Sequence, residues 1–361
     1  MAPYRPSGTA PPVTLLVPLY QERRFIEPLC DTLDRQTWPA DRLEVLFLDG
    51  GSTDGTREYL AQRVFACAAR VVDNPRRLQV HALNLGLGLA TGDFVLRWDA
   101  HADYAEDYIE RCVSLLEEEP DVVDCGGTAR AVGFDFTSGV IADLLGSPLG
   151  VGAARFRYAT KRTDADTVFP GAFRRCDLLS AGGWDGRFAV AEDAELSIRL
   201  RKSTGMRIVV DPAIRVSYYP RNSVAGLSRQ YARFGLYRLR LARVHPEALR
   251  PTHLPAVLLL PAVVVCAATG LALLFAARSP WGWLLLSPAP LYAVCALAVS
   301  ALLSRGPGRR PAERLKRTAY GAVCLGAMHF SWSAGAFRAL LERRSVAWRD
   351  EGVAVSRSKS V

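Results

Sequence analysis

The chain has 361 residues and a formal net charge of +9, and half of its residues are hydrophobic. The charge is unevenly distributed, because residues 1–220 carry a net −6 whereas residues 221–361 carry +15. The basic excess flanks apolar segments, which suits anionic lipid head groups and argues against a nucleic-acid-binding protein. The eight cysteines show no Cys-x-x-Cys or zinc-ligand spacing, which favours buried, reduced cysteines over a metal site.

Residues 13 to about 130 alternate short apolar runs with amphipathic stretches. The runs typical of strands are Val13–Val17, Leu43–Leu48, Arg70–Val72, Phe94–Trp98 and Val122–Cys125. The stretches typical of helices are Phe25–Arg35, Thr56–Ala68, Leu78–Ala90 and Ala105–Glu118. This alternation predicts an α/β fold with a mainly parallel central sheet covered by helices. No signal peptide is evident, so we expect this part of the chain to stay in the cytoplasm.

From about residue 131 to residue 170 the periodicity fades, and Gly, Ser and Thr become frequent. This composition is typical of a mobile region beside an acceptor site and equally of a plain surface insertion. A helix is then expected over Glu192–Lys202 and a strand over Met206–Val210. We predict that the first domain covers residues 1–220.

The C-terminal part has the character of a membrane region. Residues 221–250 form a basic, aromatic and amphipathic stretch suited to a membrane surface. Leu254–Ala277 then runs for 24 residues without a charge, which is long enough to cross a hydrocarbon core of roughly 30 Å. Trp281–Leu303 is a second such run, and only three residues separate the two, so we expect a hairpin. The loop after it carries six basic residues and is therefore predicted to be cytoplasmic.

A third and weaker apolar segment, about residues 318–341, contains His329 and Arg338. Three full spans would place the basic tail, residues 342–361, outside, against the distribution of charge. A re-entrant or interfacial third helix is the alternative, and the sequence leaves both open. In either case the membrane region is predicted to cover residues 251–341 of a multi-pass protein of the inner (plasma) membrane.

Four motifs carry residues suited to chemistry. Three follow strand candidates, and in α/β sheets the carboxyl ends of the strands are where nucleotides bind. In Asp49-Gly50-Gly51-Ser52-Thr53-Asp54-Gly55-Thr56, two carboxylates flank a hydroxyl and glycines allow a ligand close to the backbone. The other two are Val17-Pro18-Leu19-Tyr20-Gln21-Glu22 and Asp99-Ala100-His101-Ala102, and the fourth is the acidic pair Glu192-Asp193. Together they predict an enzyme that uses a nucleotide sugar.

In their order and spacing these motifs resemble those of family 2 inverting glycosyltransferases. More narrowly, the chain is similar to the membrane-anchored glucosyltransferases of succinoglycan-type exopolysaccharide assembly. The resemblance covers about residues 12–245 and implies a GT-A-type nucleotide-sugar-binding fold followed by C-terminal transmembrane helices. It implies transfer of a sugar, glucose from UDP-glucose, with inversion, to a hydroxyl of a lipid-linked saccharide in the membrane.

The resemblance also implies roles for residues of the first two loops. The first turn, with Pro18, would seat the base and ribose. Tyr20 would pack and Glu22 would accept hydrogen bonds, although Gln21 stands where Asn is usual. Taken alone, this turn would equally suit an ordinary β-to-α connection.

Asp49 and Asp54 match the family's Asp-x-x-Ser-x-Asp element, and the resemblance implies that the first carboxylate contacts the nucleoside. A solvated loop rich in helix-capping residues is the alternative. Asp73 and Asn84 also stand where the family contacts base and ribose.

Asp99-Ala100-His101 occupies the place of the family's Asp-x-Asp motif, which implies a divalent metal, Mn²⁺ or Mg²⁺, at Asp99 and His101. Such an ion would stabilise the departing diphosphate as a Lewis acid. Alternate residues of an extended segment point the same way, so the two side chains are expected to converge on one ion. Histidine in place of the second aspartate favours Mn²⁺. Whether His101 binds metal, phosphate or a bridging water, with Asp103 as a substitute ligand, or only begins a helix, stays open.

The pair Glu192-Asp193 resembles the family's acidic pair, which implies that Asp193 is the catalytic base. Inversion requires the acceptor hydroxyl to attack opposite the diphosphate, and a carboxylate must accept its proton. The dipole of the following helix would hold Asp193 ionised. Trp184 would either stack on a sugar or belong to the core. Gln230–Phe234 loosely resembles the Gln-x-x-Arg-Trp element of processive members, and a juxtamembrane basic helix explains it as well.

Two other functions stay open at this point. A polyprenyl-phosphate glycosyltransferase would use a phosphate acceptor that is already ionised and needs no base. A membrane scaffold that binds nucleotide sugars without catalysis is the second. The donor sugar, the acceptor, the linkage and the oligomeric state are not legible in the sequence.

Overall fold

The computed structural model describes residues 10–152, 154–306 and 308–342. These residues form two compact units. The first unit comprises residues 10–130 and 158–218, and the second comprises the described parts of 131–157 and 219–342. Apart from Glu342, the basic tail predicted at the C-terminus lies outside the described residues.

One mixed sheet forms the centre of the first unit. Its strands are β1 (Val13–Leu19), β2 (Leu43–Asp49), β3 (Ala68–Asp73), β4 (Phe94–Arg97), β5 (Ala102–Tyr104), β6 (Val122–Ala131), β7 (Thr163–Asp164), β8 (Ala172–Arg174) and β9 (Arg207–Tyr218). Their order is β3-β2-β1-β4-β8-β6-β9-β5, and β7 pairs with β9. Strands β3, β2, β1 and β4 are parallel, whereas β8 pairs antiparallel with β4 and β6. The predicted α/β fold is confirmed.

Six helices lie in the first unit, numbered along the whole chain. They are α1 (Arg23–Asp34), α2 (Thr56–Gln62), α3 (Gln79–Leu89), α4 (Tyr108–Glu118), α7 (Arg175–Ser180) and α8 (Glu192–Thr204). The helix predicted over Thr56–Ala68 is shorter than expected and ends at Gln62, because β3 already begins at Ala68. The helix predicted from Ala105 begins at Tyr108, since β5 occupies the residues just before it.

Burial explains why the first strands form where the sequence predicts them. Almost every residue of β1 and β2 is buried, as expected for parallel strands covered on both faces. The register pairs Leu19 of β1 with Asp49 of β2, and Asp49 with Asp73 of β3. The carboxyl ends of the three strands are therefore level, and their following loops lie side by side.

The second unit is helical. Its helices are α5 (Phe136–Leu145), α6 (Pro148–Val151), α9 (Val224–Val244), α10 (Leu254–Phe275), α11 (Trp281–Leu286), α12 (Pro288–Leu303) and α13 (Pro311–Leu341). In the part of the chain that the structure describes, two helical segments are long and apolar enough to cross a membrane, Pro251–Phe275 and Trp281–Leu303. They match the two predicted runs, and the second is divided into α11 and α12 ahead of Pro288.

The region predicted to be irregular, residues 131–170, contains two helices and is in part a component of the second unit. Asp135 and Ser138 form a capping box that starts α5. Asp143 of α5 then accepts hydrogen bonds from Arg309 at 2.9 Å and from Arg317 at 2.8 Å. The fading periodicity therefore gave no sign of α5, because these long-range partners are not visible in the local sequence pattern.

Candidate active site

The carboxyl ends of β2 and β3 carry two of the predicted site residues, Asp49 and Asp73. Arg57 of α2 lies between them, 3.1 Å from Asp49 and in a short contact with Asp73. The hydrogen bond and charge of Asp73, followed by those of Asp49, raise the pKa of Arg57. The Asp49 side chain is fully buried, whereas that of Asp73 is 73% exposed. Of the two, Asp73 is therefore the carboxylate that faces solvent at this edge.

Asp49 organises the loop that follows β2. Its carboxylate accepts hydrogen bonds from the backbone N–H groups of Gly51 and Ser52, both at 3.0 Å, and from the Ser52 hydroxyl at 2.5 Å. Arg57 also donates to the Asp49 carboxylate, at 3.1 Å. These hydrogen-bond partners of Asp49 are all residues of the protein itself. The contact between Asp49 and a nucleoside stays a prediction, and in this conformation Asp49 shapes the loop.

Asp54 joins the second loop to the first. Its carboxylate accepts from the backbone N–H of Arg23 at 2.9 Å and from the Thr56 hydroxyl at 2.6 Å. Burial acts to raise the pKa of Asp54, but these hydrogen bonds outweigh burial and lower that pKa below its ordinary value. The backbone N–H of Glu22 donates to the same Thr56 hydroxyl at 3.0 Å. Asp54 therefore fixes the position of the turn that carries Glu22.

Tyr20 presents a half-buried ring at the same edge. The Arg77 guanidinium lies 5.8 Å from the centre of this ring, a cation–π distance. Gly50 lies beneath the ring, and a Cβ atom there would approach Tyr20 Cδ2 to 3.2 Å. Pro18 is half-buried in β1 opposite Leu48. The structure thus brings the predicted residues of the first two loops together.

A buried arginine forms the centre of the neighbouring part of the site. Arg97, the last residue of β4, is 3% exposed and lies 4.8 Å from the centre of the Phe169 ring. Its Nε donates to Asp99 at 3.0 Å, and its Nη1 donates to Glu192 at 3.0 Å and to Asp193 at 2.6 Å. Burial opposes ionisation of Arg97, but the three carboxylates prevail and raise its pKa well above the ordinary value. We call these four residues the Arg97 cluster.

Within the Arg97 cluster the two acids of α8 differ in exposure. The Asp193 side chain keeps 23% of its surface exposed, compared with 9% for Glu192. Burial, with Asp193 adding and Arg97 opposing, raises the pKa of Glu192 to about 7. Burial also raises the pKa of Asp193, and the Arg97 guanidinium and the Trp184 indole oppose that rise. Asp193 is thus the acid of α8 with the better access to a second substrate.

The segment from Asp99 to His101 is a turn, so the prediction that it is extended was wrong. The Ala102 N–H donates to the Asp99 carbonyl at 3.3 Å, and the Asp99 N–H donates to the Tyr104 hydroxyl at 2.7 Å. The Asp99 side chain is buried beside Arg97, whereas that of His101 is 44% exposed. Convergence of Asp99 and His101 on one ion therefore stays a prediction.

A metal at this turn stays a prediction, because the Asp99 carboxylate already accepts from Arg97 at 3.0 Å and from Gln79 at 3.2 Å. Nδ1 of His101 lies 4.0 Å from the Glu22 carboxylate, and Asp103 is engaged elsewhere, accepting from the Thr32 hydroxyl at 3.0 Å. Among the described residues, no three His, Cys, Asp or Glu side chains are grouped to hold a metal by themselves. A divalent ion bound through one or two carboxylates and substrate phosphates needs no such cage. Asp99 and His101 would hold it.

Asn84 and Trp184 are joined to each other. The Asn84 amide donates to the Trp184 carbonyl at 2.6 Å and accepts from the Trp184 N–H at 2.8 Å. Trp184 is 2% exposed and packs edge-on against Phe173, with ring centres 6.0 Å apart, so it belongs to the core. Contact between Asn84 and a base or ribose stays a prediction. In the present arrangement its amide holds the loop before α8.

One of the two glycines before Trp184, Gly183, leaves no room for a side chain. Gly183 has φ of +70°, and a Cβ atom there would lie 2.4 Å from Asn84 Oδ1. Gly182 has φ of +77° but open space around its Cβ position. Both alanine variants carry backbone strain of about 1–3 kcal/mol. We expect Gly183→Ala to lower the melting temperature clearly more than Gly182→Ala, because it also breaks the Asn84 pairing. Equal losses would contradict this.

Sequence reasoning missed Arg97 and also Asp124 of β6. Asp124 is 1% exposed, and no donor among the described residues reaches its Oδ1. Burial, with Cys125 and Asp193 adding, raises the pKa of Asp124 well above its ordinary value. The sequence did offer one sign for both residues, because each is a charged residue inside an apolar strand. Such residues are rarely buried without a partner.

Comparisons with known proteins identify the family of the chain. The profile described as glycosyl transferase family 2 matches residues 14–179. The succinoglycan biosynthesis protein ExoA of Rhizobium meliloti (strain 1021) is 32% identical over 343 residues, which cover 92% of this chain and 96% of that protein.

Two further proteins are more distant. The dolichyl N-acetyl-alpha-D-glucosaminyl phosphate 3-beta-D-2,3-diacetamido-2,3-dideoxy-beta-D-glucuronosyltransferase of Methanococcus voltae is 27% identical over 236 residues, covering 62% of this chain and 71% of that protein. The mannosyltransferase PcManGT of Pyrobaculum calidifontis, solved in complex with GDP-Man and Mn²⁺, superposes with a TM-score of 0.55 at 23% identity, covering 93% of this chain and 91% of that one. The last likeness establishes the GT-A-like fold. The chain belongs to glycosyl transferase family 2.

Proposed function

We propose that this protein is an inverting, metal-dependent glycosyltransferase that moves a hexose from a nucleoside diphosphate to a hydroxyl of a lipid-linked saccharide. By resemblance to the succinoglycan-type enzymes, the donor is UDP-glucose and the product belongs to an exopolysaccharide or other cell-envelope glycan. The name of the Methanococcus relative, which describes transfer onto a sugar carried by dolichyl phosphate, supports an acceptor of this class.

The observation that carries the proposal is the Arg97 cluster. It brings a candidate metal ligand, Asp99, and a candidate base, Asp193, onto one guanidinium although they lie 94 positions apart in the chain. Arg97 keeps a positive charge beside Asp193 and opposes the rise in the pKa of Asp193 that burial causes, which favours the ionised form that accepts a proton. Asp193 keeps enough exposure to meet an acceptor hydroxyl. Inversion needs a carboxylate that accepts the proton of the acceptor hydroxyl, and Asp193 is the candidate for this role.

The donor side of the proposal rests on the loops after β1, β2 and β3. Tyr20 offers a ring, and Asp73 offers an exposed carboxylate, for a nucleoside at the edge where α/β folds bind nucleotides. A divalent ion at Asp99 and His101 would supply positive charge to the diphosphate as it leaves. The Pyrobaculum enzyme, which shares the fold, was solved with a nucleotide sugar and Mn²⁺.

The membrane part of the proposal rests on α10, α11 and α12. We propose that α10 forms one span and that α11 and α12 together form the second. Confining enzyme and lipid-linked acceptor to one membrane raises their effective concentration. The apolar side chains exposed along these helices, such as Val265, Trp283 and Val294, support contact with lipid.

The test is nucleoside diphosphate release by the detergent-solubilised full chain with a panel of nucleotide sugars, lipid extract as acceptor, and Mn²⁺, Mg²⁺ or EDTA. We expect release with one donor, loss of that release in EDTA, and a drop on the order of 10²–10³-fold for Asp99→Ala, equivalent to several kcal/mol of charge stabilisation. Asp103→Ala is the matched control. Because its carboxylate contacts Thr32, we expect less than about a tenfold change, which is under about 1.4 kcal/mol.

Other outcomes contradict parts of the proposal. Full activity in EDTA would exclude the metal. Equal losses in the two aspartate variants would show that Asp103 takes part in the site. Binding of a nucleotide sugar without any turnover across the panel would favour the scaffold.

A further inference from the structure

Helix α13 contacts α12 near its start and α10 farther along its length. Near its start, the Arg317 carbonyl accepts a hydrogen bond from Ser300, close to the end of α12, at 3.3 Å. Farther along, the Ser333 hydroxyl donates to the Val257 carbonyl at 3.0 Å and accepts from the Leu260 N–H at 3.0 Å. Both of the latter residues belong to the first two turns of α10. The later part of α13 therefore returns to the end of the hairpin at which α10 begins.

This contact argues against a third full span. His329 of α13 also contacts the Tyr292 hydroxyl at 2.9 Å, at the middle of the run Trp281–Leu303, so α13 reaches part of the way along the hairpin before it returns. At 1.5 Å per residue, Val257 and Leu260 lie only roughly 5–9 Å beyond Leu254, the first residue of α10. A spanning helix that entered the membrane at Thr318 would place Ser333 roughly 23 Å deep. In a hydrocarbon core of roughly 30 Å, that depth corresponds to the far ends of α10 and α12. Ser333 instead lies close to the face where α10 starts.

The end of α13 is fastened to α9, which precedes α10 in the chain. Arg240 donates to the Glu342 carboxylate at 2.8 and 3.0 Å, and Arg243 donates to the Ala339 and Glu342 carbonyls. These bonds satisfy carbonyl groups that the last turn of a helix leaves without partners. A cluster of two arginines and a glutamate is costly in the centre of a bilayer and is far better placed at its surface.

The packing of α9 against α13 is close enough to make them one layer. A Cβ atom on Gly235 would lie 1.9 Å from the Trp332 carbonyl oxygen, and one on Gly335 would lie 1.9 Å from the Ala232 carbonyl oxygen. The two backbones are therefore in direct contact. Since α9 carries five arginines, it cannot carry α13 into the hydrocarbon core without a large cost.

The exposed surface of this helix pair combines apolar and basic side chains. Val323 is 57% and Phe337 is 41% exposed on α13, and Arg338, which follows Phe337 in the chain, is exposed as well. Arg229 and Arg233 are exposed on α9. Apolar groups next to arginines are the chemistry of a helix that lies in the interface of a membrane rich in anionic lipid.

We propose that α9 and α13 form an interfacial layer on anionic lipid and that α13 does not cross the membrane. Glu342 then lies on the side at which α10 begins and α12 ends. The inference rests on the proposed membrane placement of the hairpin formed by α10, α11 and α12.

The test is protease protection of epitope tags on the full chain in spheroplasts of a bacterial expression host. One variant carries the tag after Val361, and the matched control carries it between Arg278 and Ser279, in the loop between α10 and α11. We expect the loop tag to be lost from intact spheroplasts. The C-terminal tag should be retained there and lost only after the membrane is permeabilised.

Each departure has a distinct meaning. Loss of both tags from intact spheroplasts would mean three spans and would overturn the inference. Retention of the loop tag would show that the hairpin does not span, which removes the membrane part of the proposed function and this inference with it. A fluorescent protein that matures only in the cytoplasm, fused after Val361, is an independent readout. Fluorescence supports the inference, and a full-length but dark fusion overturns it.

Discussion

Replacing Asp193 by asparagine is expected to lower kcat for sugar transfer on the order of 10²–10⁴-fold, the usual contribution of a general base. The amide can still accept a hydrogen bond from Arg97 but cannot take a proton from the acceptor. Because the folded protein keeps Asp193 partly exposed at the start of α8, the neutral replacement should leave the fold and donor binding nearly unchanged. The measurement compares kcat, KM for the donor and melting temperature in the variant and the wild type.

Glu192→Gln is the matched control, since Glu192 is the neighbouring acid and shares the same Nη1 atom of Arg97. Its side chain is only 9% exposed, so we expect a change of less than about tenfold, or about 1.4 kcal/mol. If both variants lost activity equally, Asp193 would act through the Arg97 cluster and not as a proton acceptor. If Asp193→Asn kept its turnover, the acceptor would already be ionised, as in a polyprenyl phosphate.

Of the variants proposed here, Arg97→Met is expected to lower the free energy of unfolding most. The change removes the cation from Asp99, Glu192 and Asp193, and breaking a buried ion pair from one side typically costs about 3–5 kcal/mol. The pKa values of Glu192 and Asp193, which burial already raises, would rise further without Arg97 to oppose burial. We therefore expect a lower melting temperature together with loss of transfer.

Arg97→Lys separates charge from geometry. One ammonium group keeps the positive charge but cannot reproduce the planar fork that reaches Asp99 from Nε and reaches Glu192 and Asp193 from Nη1. We expect this variant to be closer to the wild type in melting temperature than Arg97→Met and to lose kcat by about 10²-fold, as misplaced catalytic groups do. The pH–rate profile should keep its shape, since the charge beside Asp193 is retained.

Arg57 provides a control for these variants, because it also bridges two carboxylates at the same sheet edge. Its side chain is 40% exposed, so Arg57→Met should cost about 0–1 kcal/mol, in the range of surface ion pairs. A small effect there beside a large one at Arg97 would show that burial decides the outcome. If Arg97→Met melted with the wild type and kept its kcat, the assignment of the cluster would be wrong.

The sequence predicted the strands of the parallel part of the sheet and the edge at which the candidate site residues lie. Strands buried on both faces require continuous apolar runs, and β1, β2 and β4 have them, so their positions could be read directly. The carboxyl ends of parallel strands share one edge, which is why Tyr20, Asp49 and Asp99 could be assigned to one site before any contact was known. The two apolar runs of the hairpin were equally legible, because length and hydrophobicity decide them.

Other features could not be read, because they depend on how distant elements dock. Arg97 looked like a residue of an apolar strand, and only the approach of α8, almost a hundred positions later, gives it Glu192 and Asp193 as partners. Asn84 belonged to a motif, yet its amide is bound to Trp184, exactly one hundred residues away in the chain. Local pattern carries no information about such pairs.

The third apolar segment shows the same division between sequence and structure. The length and hydrophobicity of the third apolar segment allowed it to cross a membrane, but the sequence did not show whether it crosses or stays at the surface. Its path follows from its tertiary contacts, which include those at Ser300, at Tyr292, at Val257 with Leu260, and at Arg240 with Arg243. Hydrophobicity is a property of each residue and is additive along the chain, so sequence reports it well. The pairing of a buried charge or a helix end is a property of two elements together, and only the folded structure decides it.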